Sequence, residues 1–151
     1  MNLAARVEGL ARVTSLWGPH VRHDPEQRIF QRIAEEHDFE AWLICWMPGH
    51  DTGFHDHDQS SGAVTVLRGR VREQRLLLGA AVRAVEFGPG DTFEFAPWDI
   101  HRVTHAGIGP AVTLHVYSPR LMRMGAYATG DDGTLQRHPV ADGKELVPLS
   151  L

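Results

Sequence analysis

Ten of the 151 residues are histidines, and three of them fall where two short segments can bring them together. His55 and His57 are two apart in a polar run, GHDTGFHDHDQSSG, that spans residues 49–62. In an extended chain, side chains i and i+2 leave the same face, so two imidazoles at this spacing can share one ion. A bare His-x-His is more often a polar turn than a ligand pair, and a third histidine from a neighbouring strand has to complete it. His101, in FAPWDIHRVTH (residues 95–105), follows a strand and a proline turn at a fitting position. Imidazole suits iron, zinc, copper and nickel, and three neutral ligands leave the 2+ charge of the ion uncompensated. Such a site attracts an anion, for example a thiolate. Three protein ligands also leave coordination positions open, which marks a catalytic rather than a structural site. A closed structural zinc site usually uses cysteine, and Cys45 is the sole cysteine here, in an apolar run that reads as core.

Thr113, His115 and Tyr117 form a second constellation. They alternate with Val112, Leu114 and Val116, so the three polar side chains share one strand face. That face is either solvent-facing or a buried polar row that needs partners. A third group, Arg28, Gln31 and Arg32 in RIFQRIA, falls near one face at helical spacing. A guanidinium there can pair with a carboxylate bidentately. Trp42 and Trp46 read as core, Trp98 as a pocket wall and Asp56 as a partner of a neighbouring ligand. His20, His23, His37 and His138 read as surface, and His105 as either pocket wall or ligand support.

The elements that must position these groups fit a single domain spanning residues 1–151. Residues 1–38 read as a helical segment. Leu3, Val7 and Leu10 recur at helical spacing, Trp17-Gly18-Pro19 interrupts, and Asp24-Pro25 looks like a cap for a second helix running to about residue 36. Residues 39–118 read as β throughout. Apolar or alternating runs over 41–47, 63–67, 71–78, 82–87, 92–95 and 111–117 are separated by turn residues, which predicts an all-β sandwich or small barrel. Residues 119–151 read as a polar tail. Fifteen basic against nineteen acidic residues give a net charge of −4, which argues against nucleic acid and against a polybasic membrane surface. No apolar run approaches the ~18 residues of a transmembrane helix. The N-terminus lacks an apolar signal core, and one cysteine allows no intrachain disulfide, so a cytoplasmic protein is expected, as a monomer.

The spacing Gly49, His55-x-His57, Gly62, Gly69 resembles the first motif of the cupin superfamily, and Pro97-x-Asp99-x-His101 with His105 resembles the second. Asp99 replaces a common glycine and His105 an asparagine. Gly62 stands where many cupins place a glutamate ligand. That departure makes the chain resemble the three-histidine branch, the cysteine-dioxygenase-type thiol dioxygenases, over roughly residues 28–127. The resemblance implies a small double-stranded β-helix, or jelly roll, with short N-terminal helices. It implies one Fe(II) per chain on His55, His57 and His101. The implied reaction takes a small carboxylate-bearing thiol, cysteine first, to its sulfinic acid with O2. Thr113, His115 and Tyr117 would match the family's Ser-x-His-x-Tyr relay. Gly62 takes the place of the cysteine that some members crosslink to that tyrosine, so no crosslink at Tyr117 is expected. An early arginine would hold the substrate carboxylate, with Arg32 preferred and Arg28 next. Gln31 in that role would favour 3-mercaptopropionate, and Arg102 or Arg120 are the fallback positions. The rival readings are a different enzyme on the same metal site, or a non-catalytic cupin that senses a ligand.

Overall fold

The computed structural model describes residues 1–141 and 144–149. The chain begins with helix α1 (Leu3–Ala11), capped by the Asn2 side chain, which accepts the Ala5 N–H. A short helix α2 (Thr14–Trp17) and a 3-10 turn (Gly18–His20) follow. Leu3 and Val7 are buried against Phe39, Ala41, Ala63, Leu114 and Val116, so α1 covers the outer face of a sheet.

The helix expected over residues 24–36 is instead strand β1 (Ile29–Glu36). Asp24 does not cap a helix. Its side chain accepts the Glu26 N–H at 2.9 Å, and a bridge between Asp24 and Gln27 reverses the chain. The misreading has a physical origin. Ile29 and Ile33 are four apart, a spacing that places two residues on one face of a helix and of a strand alike. Antiparallel pairing with β2 (Phe39–Trp46), from Ile29 opposite Cys45 to Glu36 opposite Phe39, decides for the strand. This changes which side chains travel together. Arg28, Phe30 and Arg32 share one face, and Gln31 takes the other with Ile29 and Ile33.

The remaining strands are β3 (His55–Asp56), β4 (Ser61–Arg68), β5 (Arg70–Arg75), β6 (Arg83–Phe87), β7 (Thr92–Phe95), β8 (His101–Ala106), β9 (Ala111–Ser118), β10 (Gly125–Thr129) and β11 (Leu135–Pro139). They form a five-stranded sheet in the order β1-β2-β9-β4-β7 and a six-stranded sheet in the order β11-β10-β3-β8-β5-β6, all antiparallel. Trp46, Val64, Val66, Phe93, Phe95 and Tyr117 from the first sheet meet Val71 and Val103 from the second in one core. This is the two-sheet barrel that the resemblance implies. At the β4–β5 turn, Gly69 has φ +70°, and a Cβ there would lie 2.5 Å from the Pro110 carbonyl oxygen, so only glycine fits.

The barrel extends beyond residues 39–118 on both sides. The expected polar tail contributes β10 and β11, with Gly125 and Ala126 of β10 pairing with Asp56 and His55 of β3. Its small residues Gly125, Ala126 and Ala128 are buried but carry little hydrophobic signal. Among the described residues no helix is long and apolar enough to cross a membrane.

Candidate metal centre

His55 lies on β3 directly opposite His101 on β8, and His57 follows two residues later. Each of the three offers one ring nitrogen, and these atoms lie within 4.8 Å of one another. All three rings are buried. His55 Nδ1 is 2.9 Å from the Gly53 carbonyl oxygen, and His101 Nδ1 is 2.7 Å from Glu73 Oε2. A carbonyl or carboxylate beside Nδ1 requires the proton there, which leaves Nε2 of both rings with a free lone pair. Nδ1 of His57 is buried without a hydrogen-bond partner among the described residues. Burial keeps the rings neutral: it lowers His55 to about 4 and holds His57 and His101 well below the usual imidazole range. Three converging neutral imidazoles, one with an orphaned ring nitrogen, form a donor set suited to a divalent transition metal.

Glu73 was not singled out from the sequence. It lies on β5 opposite Val103 of β8, buried, and joins His101 to Arg75, whose Nη2 donates to it at 2.8 Å. Burial raises the carboxyl and the Arg75 guanidinium opposes that rise. Its signal was present: Glu73 shares strand parity with the inward-facing Val71, and an acid on an inward face needs a partner. A carboxylate bound to the far nitrogen of a metal-binding histidine fixes its tautomer and raises its basicity. Glu73→Gln is therefore expected to weaken metal binding about 10–100-fold while the fold persists. Competition with a chelator, alongside circular dichroism, measures both.

The polar row on β9 is buried and fully connected. Trp46 Nε1 donates to Thr113 Oγ1 at 2.8 Å, Thr113 Oγ1 is 2.7 Å from His115 Nε2, and His115 Nδ1 is 3.3 Å from the Tyr117 hydroxyl. An indole N–H can only donate, so Thr113 Oγ1 accepts from it and has its own proton to offer His115 Nε2. In the tautomer that accepts this proton, His115 carries its own on Nδ1 and donates to the Tyr117 oxygen, which leaves the phenolic proton free for the cavity. Burial lowers His115 to about 3 and pushes Tyr117 well above its ordinary value, so both stay neutral around pH 7. The sequence pointed to Thr113, His115 and Tyr117. Trp46, which fixes the direction of the chain, read only as core.

Gly62 lies opposite Tyr117 on one side and Phe95 on the other. A Cβ on residue 62 would fall 2.1 Å from the Phe95 ring. That ring stacks on His57 at 4.3 Å and lies 4.7 Å from His101. Phe95 thus fills the space that a glutamate ligand or a crosslinking cysteine at residue 62 would need. Asp56, expected to support a ligand, does something else. It accepts from Arg137 Nε and Nη2 at 2.8 and 3.0 Å, from Tyr127 Oη at 2.5 Å and from the Asp58 and Gly125 backbones, tying β10 and β11 to the strand that carries His55.

A family model for cysteine dioxygenase type I matches residues 6–130. The chain belongs to the cysteine dioxygenase type I family. It is 26% identical over 115 residues to a cysteine dioxygenase type 1 from Danio rerio, an alignment covering 68% of this chain and 57% of that protein. The chain therefore spans little more than half the length of that relative. In structure it resembles a double-stranded β-helix protein from Klebsiella pneumoniae (TM-score 0.58, 18% identity, 80% of this chain and 91% of that one). It also resembles a cupin superfamily protein from Desulfitobacterium hafniense (TM-score 0.56, 14% identity, 68% and 87%). These likenesses show the fold, a small cupin barrel.

In this family member the three histidines open onto a cavity of about 260 Å³ with Tyr117 and His115, walled by Phe30, Trp42, Ile44 and Leu121. Arg28 and Arg32 both line it, and Gln31 does not. Arg28 is 5% exposed, under the Trp46 ring, and Nη1 donates to the Asp51 carbonyl at 2.9 Å. Arg32 lies at the mouth, its side chain 47% exposed, paired with Glu35 at 3.1 Å and Glu40 at 3.7 Å. Arg102 is taken up by the Asp51 side chain and Arg120 by Glu35, and neither lines the cavity. His105 is bonded to the Gly109 carbonyl at the far end of β8, away from the cavity. Trp98 is no pocket wall either, being 81% exposed.

Proposed function

We propose that this chain oxidises a small carboxylate-bearing thiol, cysteine foremost, to its sulfinate with O2 at one Fe(II) held by His55, His57 and His101. The observation that carries this reading is the donor set itself: three neutral imidazoles with no anionic ligand among the described residues, beside a protonated tyrosine, in the cysteine dioxygenase type I family. Such a centre has charge to spare for a thiolate. The reaction is balanced by its two substrates alone, since a thiolate and one O2 make one sulfinate and need no external reductant. Bound Fe(II) would supply open positions for thiolate and O2 and the electronic means to join them.

The chain's own residues do the rest. Trp42, Phe30, Ile44 and Leu121 give the cavity an apolar wall. Tyr117, its oxygen already satisfied by His115, donates its proton towards charge that develops on oxygen or sulfur. Burial and placement favour Arg28 over Arg32 as the group that holds the substrate carboxylate. Gln31 faces away, so the 3-mercaptopropionate reading rests on Arg28 as well.

Arg28→Ala is expected to raise KM for cysteine or 3-mercaptopropionate about 10–150-fold, the worth of a charge-assisted hydrogen bond, with a smaller effect on kcat. Arg32→Ala, at an exposed ion pair, is expected to change KM less than about five-fold. The reading as a whole is tested by anaerobic purification, metal analysis, and oxygen uptake with cysteine, 3-mercaptopropionate, cysteamine and mercaptosuccinate. Iron with thiol-dependent uptake and a sulfinate product by mass spectrometry supports it. Metal binding with no uptake on any thiol would overturn it in favour of a ligand sensor.

A further inference from the structure

Arg28 already has a carboxylate beside it. Glu145 Oε1 lies 3.5 Å from Arg28 Nη1 and accepts the Arg28 backbone N–H at 3.1 Å. The carbonyl of Leu146 accepts from Arg28 Nη2. Three residues after Glu145, Pro148 packs onto Gly53, where a Cβ would come within 2.8 Å of the Pro148 Cα. Gly53 is the residue whose carbonyl orients His55. Residues 144–149 therefore lie across the loop that leads to the metal ligands, and Lys144, Glu145 and Leu146 line the same cavity as the histidines.

The Arg28–Glu145 pair is built to exchange. The carboxylate comes no nearer the guanidinium than 3.5 Å, longer than a charge-assisted hydrogen bond of ~2.7–2.9 Å. The Glu145 side chain is 23% exposed, whereas that of Arg28 is 5% exposed, so the acid can leave and the base cannot follow. Two carboxylates on one buried guanidinium would repel each other across a poorly screened cavity.

We propose that Glu145 is a tethered carboxylate that holds the anion position at Arg28 in the free protein and gives it up to the carboxylate of the incoming thiol. This rests on the reading of Arg28 as the carboxylate anchor. Glu145 then determines specificity. A tethered competitor is present at a fixed effective concentration, which raises the apparent dissociation constant of every carboxylate-bearing ligand by one factor and leaves other ligands alone. Residues 144–149 loosen when a carboxylate binds, because the Glu145 tie to the guanidinium is lost and that of the Leu146 carbonyl remains.

Glu145→Gln tests this, since it removes the charge and keeps the size and the acceptor for the Arg28 N–H. Anaerobic calorimetry on the iron-loaded proteins is expected to show 3-mercaptopropionate binding about ten-fold more tightly to the variant. Cysteamine, which has no carboxylate, is expected to move less than about two-fold. Hydrogen exchange supplies a readout independent of turnover. Millimolar propionate, which carries the carboxylate without sulfur, should release the amides of residues 144–149 in the wild type with or without iron. Equal 3-mercaptopropionate affinity in the two proteins would overturn the proposal. So would weaker binding by the variant, which would make Glu145 a support for Arg28 rather than its competitor. Failure of the dioxygenase reading looks different: no thiol is oxidised, while propionate still releases the tail.

Discussion

His57→Ala is expected to come through purification folded, without bound metal and without thiol-dependent oxygen uptake. Two imidazoles would remain of three, so affinity should fall by more than the ~10–100-fold that the loss of a ligand's hydrogen-bond partner costs. The variant breaks no hydrogen bond within the protein, because His57 Nδ1 has no partner among the described residues. What it loses structurally is ring packing, chiefly the stack on Phe95 and the contact with Tyr117. His101→Ala should lose metal equally but behave differently as a fold. It takes one donor from the buried Glu73, which keeps Arg75 as its charged partner, and leaving a buried acceptor short of a hydrogen bond typically costs about 1–3 kcal/mol. Metal analysis should therefore read the same in the two variants, while thermal unfolding separates them, with His101→Ala melting below His57→Ala. Full metal occupancy in His101→Ala would remove it from the ligand set. His105 could not replace it from the far end of β8.

Tyr117→Phe is expected to bind metal normally and turn over about 10²–10³-fold more slowly, the usual effect of deleting one preorganised donor to developing charge. The phenyl ring stays, so packing against His57 and Phe95 is retained. The loss should be uniform in pH. His115 is lowered to about 3 and Tyr117 is raised, so neither ionises between about pH 5 and 9. A rate-against-pH curve that drops without changing shape confirms a donor role. A changed shape would mean that Tyr117 titrates during turnover. Unchanged turnover would make the β9 row structural. Intact mass should match the uncrosslinked chain, since residue 62 offers no cysteine.

The metal centre was legible because its three histidines announce themselves by type and by two-residue spacing, and β4, β7 and β9 because their apolar residues alternate. Glu73 and Trp46 were not, for a common reason. Each acts across strands, Glu73 on His101 and Trp46 on Thr113, 28 and 67 residues away in sequence. No local pattern encodes such a pairing. Residues 29–36 failed differently. Their apolar spacing satisfies both periods, and the partner that decides between them, β2, lies beyond a turn. That misreading carried into the substrate end, since a helix would have grouped Gln31 with the two arginines where the strand separates them. Glu145 could not have been found without the fold that brings the tail onto Arg28.

The contact between residue 62 and Phe95 bears on how a metal site of this kind can change over generations. Any side chain added at residue 62 meets a ring wedged between two imidazoles, so a glutamate or cysteine arriving there alone would be harmful before it could bind or crosslink anything. The converse order, a smaller residue at 95 first, opens a void beside His57 and loosens the ligands. Either first step is expected to cost stability, by overpacking or by a cavity, and only the pair restores a filled site. In this chain a three-histidine and a histidine–carboxylate centre are thus two coupled substitutions apart. Designers who want a fourth ligand here have to mutate positions 62 and 95 as one unit.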